Sequence, residues 1–269
     1  MRIPDWKWIL KWKILYPIRH GRLYGADYEA SVRQAITSLS GDVFWDVGAN
    51  TGYYTLRLSP RFRQVRAFEP NPDSVKILKN RIAKARIQNV TVEPVALSDF
   101  VGMSRLYLFT QVREKTVGSR NSLIRDSSMH PDNSPKEETI TTPSIEVETT
   151  TADVLLGTGK VDLMKIDVEG AEFMVLRGAS VALSQGRIHR FVIELHDKTR
   201  RDELESVLVD NGYKTEWLDY GRAGELSHVL ATFIPEFSRN NAEKRGEAQG
   251  SMGGTHAYPL GGPLDDFVN

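Results

Sequence analysis

At 269 residues with 40% hydrophobic content, the chain can bury a full core, and its 35 basic residues balance 35 acidic ones, so no global charge drives it onto nucleic acid. It has no cysteine, which removes disulfides, thiolate nucleophiles and Cys-ligated metal centres together. No run approaches the roughly 18 apolar residues of a membrane span, and the expected setting is the cytoplasm.

The first 25 residues break the charge balance. They carry Arg2, Lys7, Lys11, Lys13, Arg19 and Arg22 against Asp5 alone, with Trp6, Trp8 and Trp12 among them. Lysines interrupt every apolar run, so no secretory signal core is present. This mixture suits peripheral contact with a membrane or a partner, and equally a packing arm; residues 1–40 are expected to form a basic, Trp-rich extension.

A strand is predicted at Val43 to Val47, followed by the turn Gly48-Ala49-Asn50-Thr51-Gly52 and a helix from Tyr53. Glycines four apart let the backbone turn tightly and approach a ligand closely. A second strand, Val65 to Phe68, ends in Glu69, 23 residues after Asp46, near the separation expected of a carboxylate that holds ribose hydroxyls. Asn71 then caps a helix whose first residue is Pro72 and whose apolar face carries Val75, Leu78 and Ile82. Strands are predicted at 90–95 and 105–109, and the polar stretch 110–142 reads as a mobile surface loop able to cover a substrate. Further strands are expected at 161–166 and 190–195, a helix at 202–208 stopped by Asn211-Gly212, and a closing pair of strands at 215–218 and 228–233. The core domain spans 41–235, and 236–269 has the composition of a disordered tail.

Repeated strand–helix units predict a parallel sheet covered on both faces, with ligands at the carboxyl ends of the strands. Asp46, Glu69, Asp167 and His196 all fall at such ends. The strand at 161–166 contains Lys165 and runs into Asp167-Val168-Glu169-Gly170-Ala171-Glu172, three carboxylates within six residues. With the Asp46–Gly52 turn, Phe68-Glu69-Pro70-Asn71-Pro72, Ala96-Leu97-Ser98-Asp99 and Glu194-Leu195-His196, the chain resembles the FkbM family of S-adenosylmethionine-dependent methyltransferases over roughly residues 42–235.

The resemblance implies an α/β, Rossmann-like three-layer sandwich whose seven-stranded, mostly parallel sheet ends in an antiparallel strand, with S-adenosylmethionine over its carboxyl edge. In that arrangement Gly48 and Gly52 approach the methionine half, with Asn50 where the broader class usually has a third glycine. Asp46 meets the ammonium group directly or through water, and Glu69 accepts both ribose hydroxyls. The segment Ala96, Leu97 to Asp99 borders the adenine, and Asp167 binds the methionine end or orients the acceptor. The expected acceptor is a hydroxyl on a saccharide of a glycan or glycolipid, or on a small metabolite, with no nucleic acid involved.

Removing the acceptor's proton calls for a base. Asp167, Glu169 and His196 are the candidates, and His196 comes first because only histidine has an ordinary pKa near neutrality. Asp167, Glu169 and Asp197 offer oxygen ligands suited to magnesium, but they show no ligand spacing and no metal is assigned. A nicotinamide-dependent oxidoreductase is the rival enzyme. Its Gly-x-Gly-x-x-Gly spacing is missing, and no tyrosine has a lysine four residues on. A nucleoside-binding or assembly module without turnover is the rival from another class.

Overall fold

The computed structural model describes residues 30–113, 116–123, 143–219 and 227–237. The Trp-rich arm at 1–25 and the tail from 238 lie outside the described residues. In chain order the elements are α1 (Ala30–Thr37), β1 (Gly41–Val47), α2 (Tyr53–Leu58), β2 (Phe62–Phe68), α3 (Pro72–Ala85), β3 (Val90–Glu93), β4 (Ala96–Leu97), β5 (Gly102–Arg113), β6 (Thr116–Ser122), β7 (Ser144–Thr150), α4 (Ala152–Leu156), β8 (Leu163–Ile166), α5 (Glu172–Arg177), α6 (Ser180–Ser184), β9 (Arg190–Leu195), α7 (Arg201–Asp210), β10 (Tyr213–Asp219) and β11 (Ser227–Phe233). Among the described residues no helix is long and apolar enough to cross a membrane.

The main sheet has seven strands in the order β10-β11-β9-β8-β1-β2-β3. β11 pairs antiparallel with both β9 and β10, and every other pairing in this sheet is parallel, so β11 alone runs against the rest. Strand order reverses between β1 and β8, because the chain leaves β1 toward β2 and β3 and returns to β8 on the other side. That reversal opens a crevice beyond the carboxyl ends of β1 and β8, where ligands bind in open α/β sheets.

Both faces of the sheet are covered, which is why β1 reads as a continuous apolar run rather than an alternating one. Phe44 is buried on one face with Val32, Ile36, Leu58, Phe62 and Val65, and Trp45 on the other with Phe68, Ile166 and Ile193. The Trp45 and Phe68 rings sit 5.0 Å apart, tilted by 56°. Complete burial of side chains this size stabilises the fold by about 1.5–3 kcal/mol each. α3 begins as its sequence predicts: Asn71 accepts a hydrogen bond from the Asp73 N–H at 2.9 Å, and Pro72 follows it.

One expectation is corrected. The stretch read as a mobile loop from residue 110 instead continues β5 to Arg113 and returns as β6, a hairpin in a second sheet ordered β4-β7-β5-β6. Backbone pairing holds strands there without the apolar alternation that marks a half-buried strand. Residues 124–142 of that expectation lie outside the described residues.

Candidate active site

The turn after β1 passes through three left-handed residues, Gly48 at φ 78°, Asn50 at φ 50° and Gly52 at φ 89°. Asparagine is among the few side chains that tolerate this conformation, which accounts for Asn50 where a third glycine is usual. The Gly48 and Ala49 N–H groups both donate to the Phe68 carbonyl at 3.0 Å, and the Asp167 N–H donates to the Val47 carbonyl at 3.0 Å. These bonds hold the tips of β1, β2 and β8 together. A Cβ at position 48 would lie 1.8 Å from the Asp167 carbonyl oxygen. Gly48→Ala is therefore expected to cost about 3 kcal/mol or more, from backbone strain and the forced separation of the two tips. The midpoint of denaturant unfolding measures this, and an unchanged midpoint would show that the tips can part freely.

Glu69 is 5% exposed at the tip of β2. Its Oε2 accepts the Asn50 N–H at 2.7 Å and its Oε1 the Asn71 N–H at 2.9 Å, which leaves a lone pair on each oxygen for a ligand hydroxyl. Burial raises its pKa to about 7, against the pull of those two N–H groups.

A hollow of about 610 Å³, including its open mouth, lies over these strand tips. Of the residues expected to bind or react, Gly48, Asn50, Glu69, Ala96, Leu97, Asp167 and Glu169 line it. Asp46, Gly52, Asp99 and His196 are not among its lining residues. The Asp46 side chain is 1% exposed and accepts the Thr55 hydroxyl at 2.5 Å, so it braces the turn from beneath rather than reaching the hollow. Burial raises its pKa, opposed by the charge of Lys165 and by the Thr55 bond. Asp99 accepts Arg177 at 2.9 Å and the Ser98 hydroxyl at 3.2 Å.

The carboxylates after β8 converge on His196. Glu169 at φ 54° and Gly170 at φ 105° turn the chain sharply, and the Gly170 N–H donates to Glu172 Oε1 at 2.8 Å. His196 Nδ1 lies 2.7 Å from Glu172 Oε1. Its Nε2 faces Glu169 Oε2 at 3.2 Å, Glu194 Oε1 at 3.8 Å and Asp167 Oδ1 at 4.0 Å. Burial opposes a charge on this imidazole, but the hydrogen bonds of Glu169 and Glu172 and the charges of Glu172 and Glu194 outweigh it and hold the pKa well above 6.5. This surrounding of carboxylates favours the imidazolium form of His196.

Asp167 differs in both access and acidity. It lines the hollow, and its Oδ2 accepts a hydrogen bond from Lys165 Nζ, two residues earlier in the chain, at 2.9 Å. Burial and the charge of Glu194 raise its pKa to about 7, while Lys165 and His196 pull it down. Glu194 also lies beside His228 at 3.3 Å, and despite burial the hydrogen bond and charge of His228 hold it at about 2.

Oxygens of Asp167 and Glu169 and a ring nitrogen of His196 lie within 4.8 Å of one another, close enough to hold a metal ion. In the structure Lys165 Nζ pairs with Asp167, and His196 lies between Glu169 and Glu172. Asp197, the third oxygen ligand considered from sequence, instead accepts the Thr199 N–H at 3.0 Å and its hydroxyl at 2.6 Å.

Sequence reasoning gave no role to Glu172, the closest partner of His196, or to Asn121 and Leu106, which line the hollow from the second sheet. Glu172 stood in the quoted acidic run, but nothing in the run tells which of its three acids turns inward. Asn121 lay in the stretch read as a loop.

A hollow at the reversal point of a seven-stranded sheet, with a glycine turn on one side and a buried acid on the next strand tip, places the chain among Rossmann-like α/β proteins. The family model described as "Methyltransferase FkbM domain" matches residues 46–215, and the chain belongs to this methyltransferase family. It is 28% identical over 183 residues to the 31-O-demethyl-FK506 methyltransferase FkbM of Streptomyces tacrolimicus, covering 62% of this chain and 70% of that one. It is 28% identical over 180 residues to the hexuronic acid methyltransferase AglP of Haloferax volcanii, covering 65% and 64%. A solved methyltransferase FkbM from Methylobacillus flagellatus is similar at 14% identity and TM-score 0.49, over 71% of this chain and 43% of that one.

Proposed function

We propose that this protein is an S-adenosylmethionine-dependent O-methyltransferase whose acceptor is a hydroxyl on a saccharide or a small metabolite. The observation that carries the reading is the placement of Glu69 and Asp167 on one hollow, a buried carboxylate suited to ribose hydroxyls and a second carboxylate poised near neutrality. Glu69, Asn50, Gly48 and the Ala96–Leu97 edge would hold the cofactor, which supplies an electrophilic methyl group on a sulfonium. By their names, FkbM acts on 31-O-demethyl-FK506 and AglP on a hexuronic acid. The first name points to a hydroxyl acceptor, whereas a hexuronic acid offers both hydroxyls and a carboxyl group.

Transfer to a hydroxyl requires loss of its proton, and a base works best with a pKa near the operating pH. Asp167 meets that requirement and lines the hollow, whereas the carboxylates around His196 favour its protonated form and His196 is not among the lining residues. In this reading Asp167 takes the proton, and the His196 imidazolium and Lys165 stabilise its ionised form beforehand. Glu172 positions His196 by holding Nδ1.

Incubation with methyl-labelled cofactor and fractionated cell extract tests the reaction. Label is expected in a saccharide or small-metabolite fraction as an alkali-stable ether. Label released by mild alkali would mark a carboxylate as the acceptor, and calorimetry showing binding of NAD but not of S-adenosylmethionine would end the methyltransferase reading.

A further inference from the structure

The second sheet lays one of its faces over the hollow. Ala96, Leu106 and Val147 bury together, with Leu108 and Leu123 packed on them. Asn121 pairs across the hairpin with Leu108, and Leu123 follows it by two residues, so all three share that apolar face. Ala96, Leu97, Leu106, Asn121 and Leu123 line the hollow. Asn121 is the polar member of this set. Its Oδ1 is shut off from solvent and has no hydrogen-bond partner among the described residues. Folded proteins rarely leave a buried carboxamide oxygen unanswered, and on a residue that lines a binding hollow the missing donor is one the ligand brings.

We propose that Asn121 is a specificity residue that reads the exocyclic amino group of the cofactor's adenine through its carboxamide oxygen. The inference rests on the cofactor reading above. Ribose hydroxyls on Glu69 leave two directions for the rest of the molecule. The charged end, with Gly48 and Asp167, suits the amino-acid half, whereas the apolar end, walled by Ala96, Leu106 and Leu123, suits the flat faces of a purine. A purine lying there needs an acceptor for its 6-amino group, and Asn121 Oδ1 supplies one. The β5–β6 hairpin thereby becomes part of the cofactor site, although it belongs to neither the glycine turn nor the main sheet.

Calorimetric titration with S-adenosylhomocysteine and S-inosylhomocysteine tests this, because the second ligand replaces the 6-amino group with a carbonyl oxygen that cannot donate. The wild-type protein is expected to prefer the adenosyl ligand. Asn121→Leu is expected to lower that preference by about tenfold or more, chiefly by weakening S-adenosylhomocysteine, while S-inosylhomocysteine binds as well or better once the two facing oxygens no longer repel. Asn121→Asp, which keeps an acceptor oxygen, is expected to retain the preference. If Asn121→Leu does not fold, Asn121→Ala gives the same ratio with a smaller side chain. An unchanged ratio in the apolar variants overturns the assignment and leaves the cofactor reading intact. Failure of the wild type to bind S-adenosylhomocysteine overturns both.

Discussion

Replacing Glu69 by Ala is expected to weaken cofactor binding by about a hundredfold or more. Two charge-assisted hydrogen bonds to ribose hydroxyls are lost together, each worth about 1.5–3 kcal/mol. The loss extends to the free protein as well. Glu69 accepts the Asn50 and Asn71 N–H groups, so removing it leaves one backbone donor of the glycine turn and one at the start of α3 without their acceptor. Glu69→Gln keeps a single acceptor oxygen and separates the two effects, with binding still weakened and the turn partly held. Calorimetry with S-adenosylhomocysteine measures the first, and wild-type affinity in Glu69→Ala would remove the residue from the site.

The raised pKa of Glu69 makes a second, independent prediction. Its folded value is about 7 against an ordinary 4.5. Between those values the folded chain binds a proton that the unfolded chain does not, so ionising Glu69 costs folding stability. The cost is absent below about pH 4.5, grows as pH rises and is complete above about pH 7. At about 1.4 kcal/mol per pKa unit it amounts to about 3 kcal/mol. Glu69→Gln lacks this titration. Its unfolding free energy is expected to gain on wild type by up to that amount between pH 5 and pH 8, and parallel pH profiles would contradict the buried ionisation.

Asp167→Asn is expected to lower the rate of methyl transfer by about 10²- to 10⁴-fold, the usual worth of a positioned base, with cofactor affinity changed much less. The variant keeps the side chain's shape but cannot accept the proton. In the wild type the rate is expected to rise with pH through about 7, as Asp167 ionises. His196→Gln removes a cation that stabilises the ionised carboxylate, so this limb is expected to move upward by about 1 to 3 pKa units, the range for a neighbouring opposite charge. At high pH much of the rate returns, because the base itself is still present. A His196 variant that is inactive at every pH would restore the imidazole as the base, and full activity of Asp167→Asn would exclude the carboxylate.

Much of the site was legible in the sequence because parallel strands buried on both faces leave a plain signature. Val43 to Val47 and Val65 to Phe68 are apolar runs that end at a glycine turn and at an acid, and the rule that ligands gather at carboxyl ends then places Glu69 and Asp167 along the same edge of the sheet. Asn71-Pro72 marked the start of α3 for a local reason, a side-chain cap followed by a residue with fixed φ. The β5–β6 hairpin was not legible in the same way. Thr110 to Arg113 and Thr116 to Ser122 are mostly polar, and strands held chiefly by backbone pairing carry no side-chain pattern that separates them from a loop.

The sequence by itself determined the chain order of the seven main-sheet strands, the strand tips that carry acids, and the family to which the chain belongs, since each depends on residues close together along the chain. Only the tertiary structure decided which way those acids point and what charge they hold. Asp46 and Glu69 are both acids at strand tips, yet one lies beneath the turn on Thr55 and the other opens on the hollow, a difference set by packing between elements. His196 has the ordinary pKa of a base when considered alone, but four carboxylates from the ends of β8 and β9 and the turn into α5 surround it and raise that pKa, which is why the proposed base is Asp167 instead. Ionisation depends on the field of neighbours distant in sequence, and that field exists only once the chain has folded.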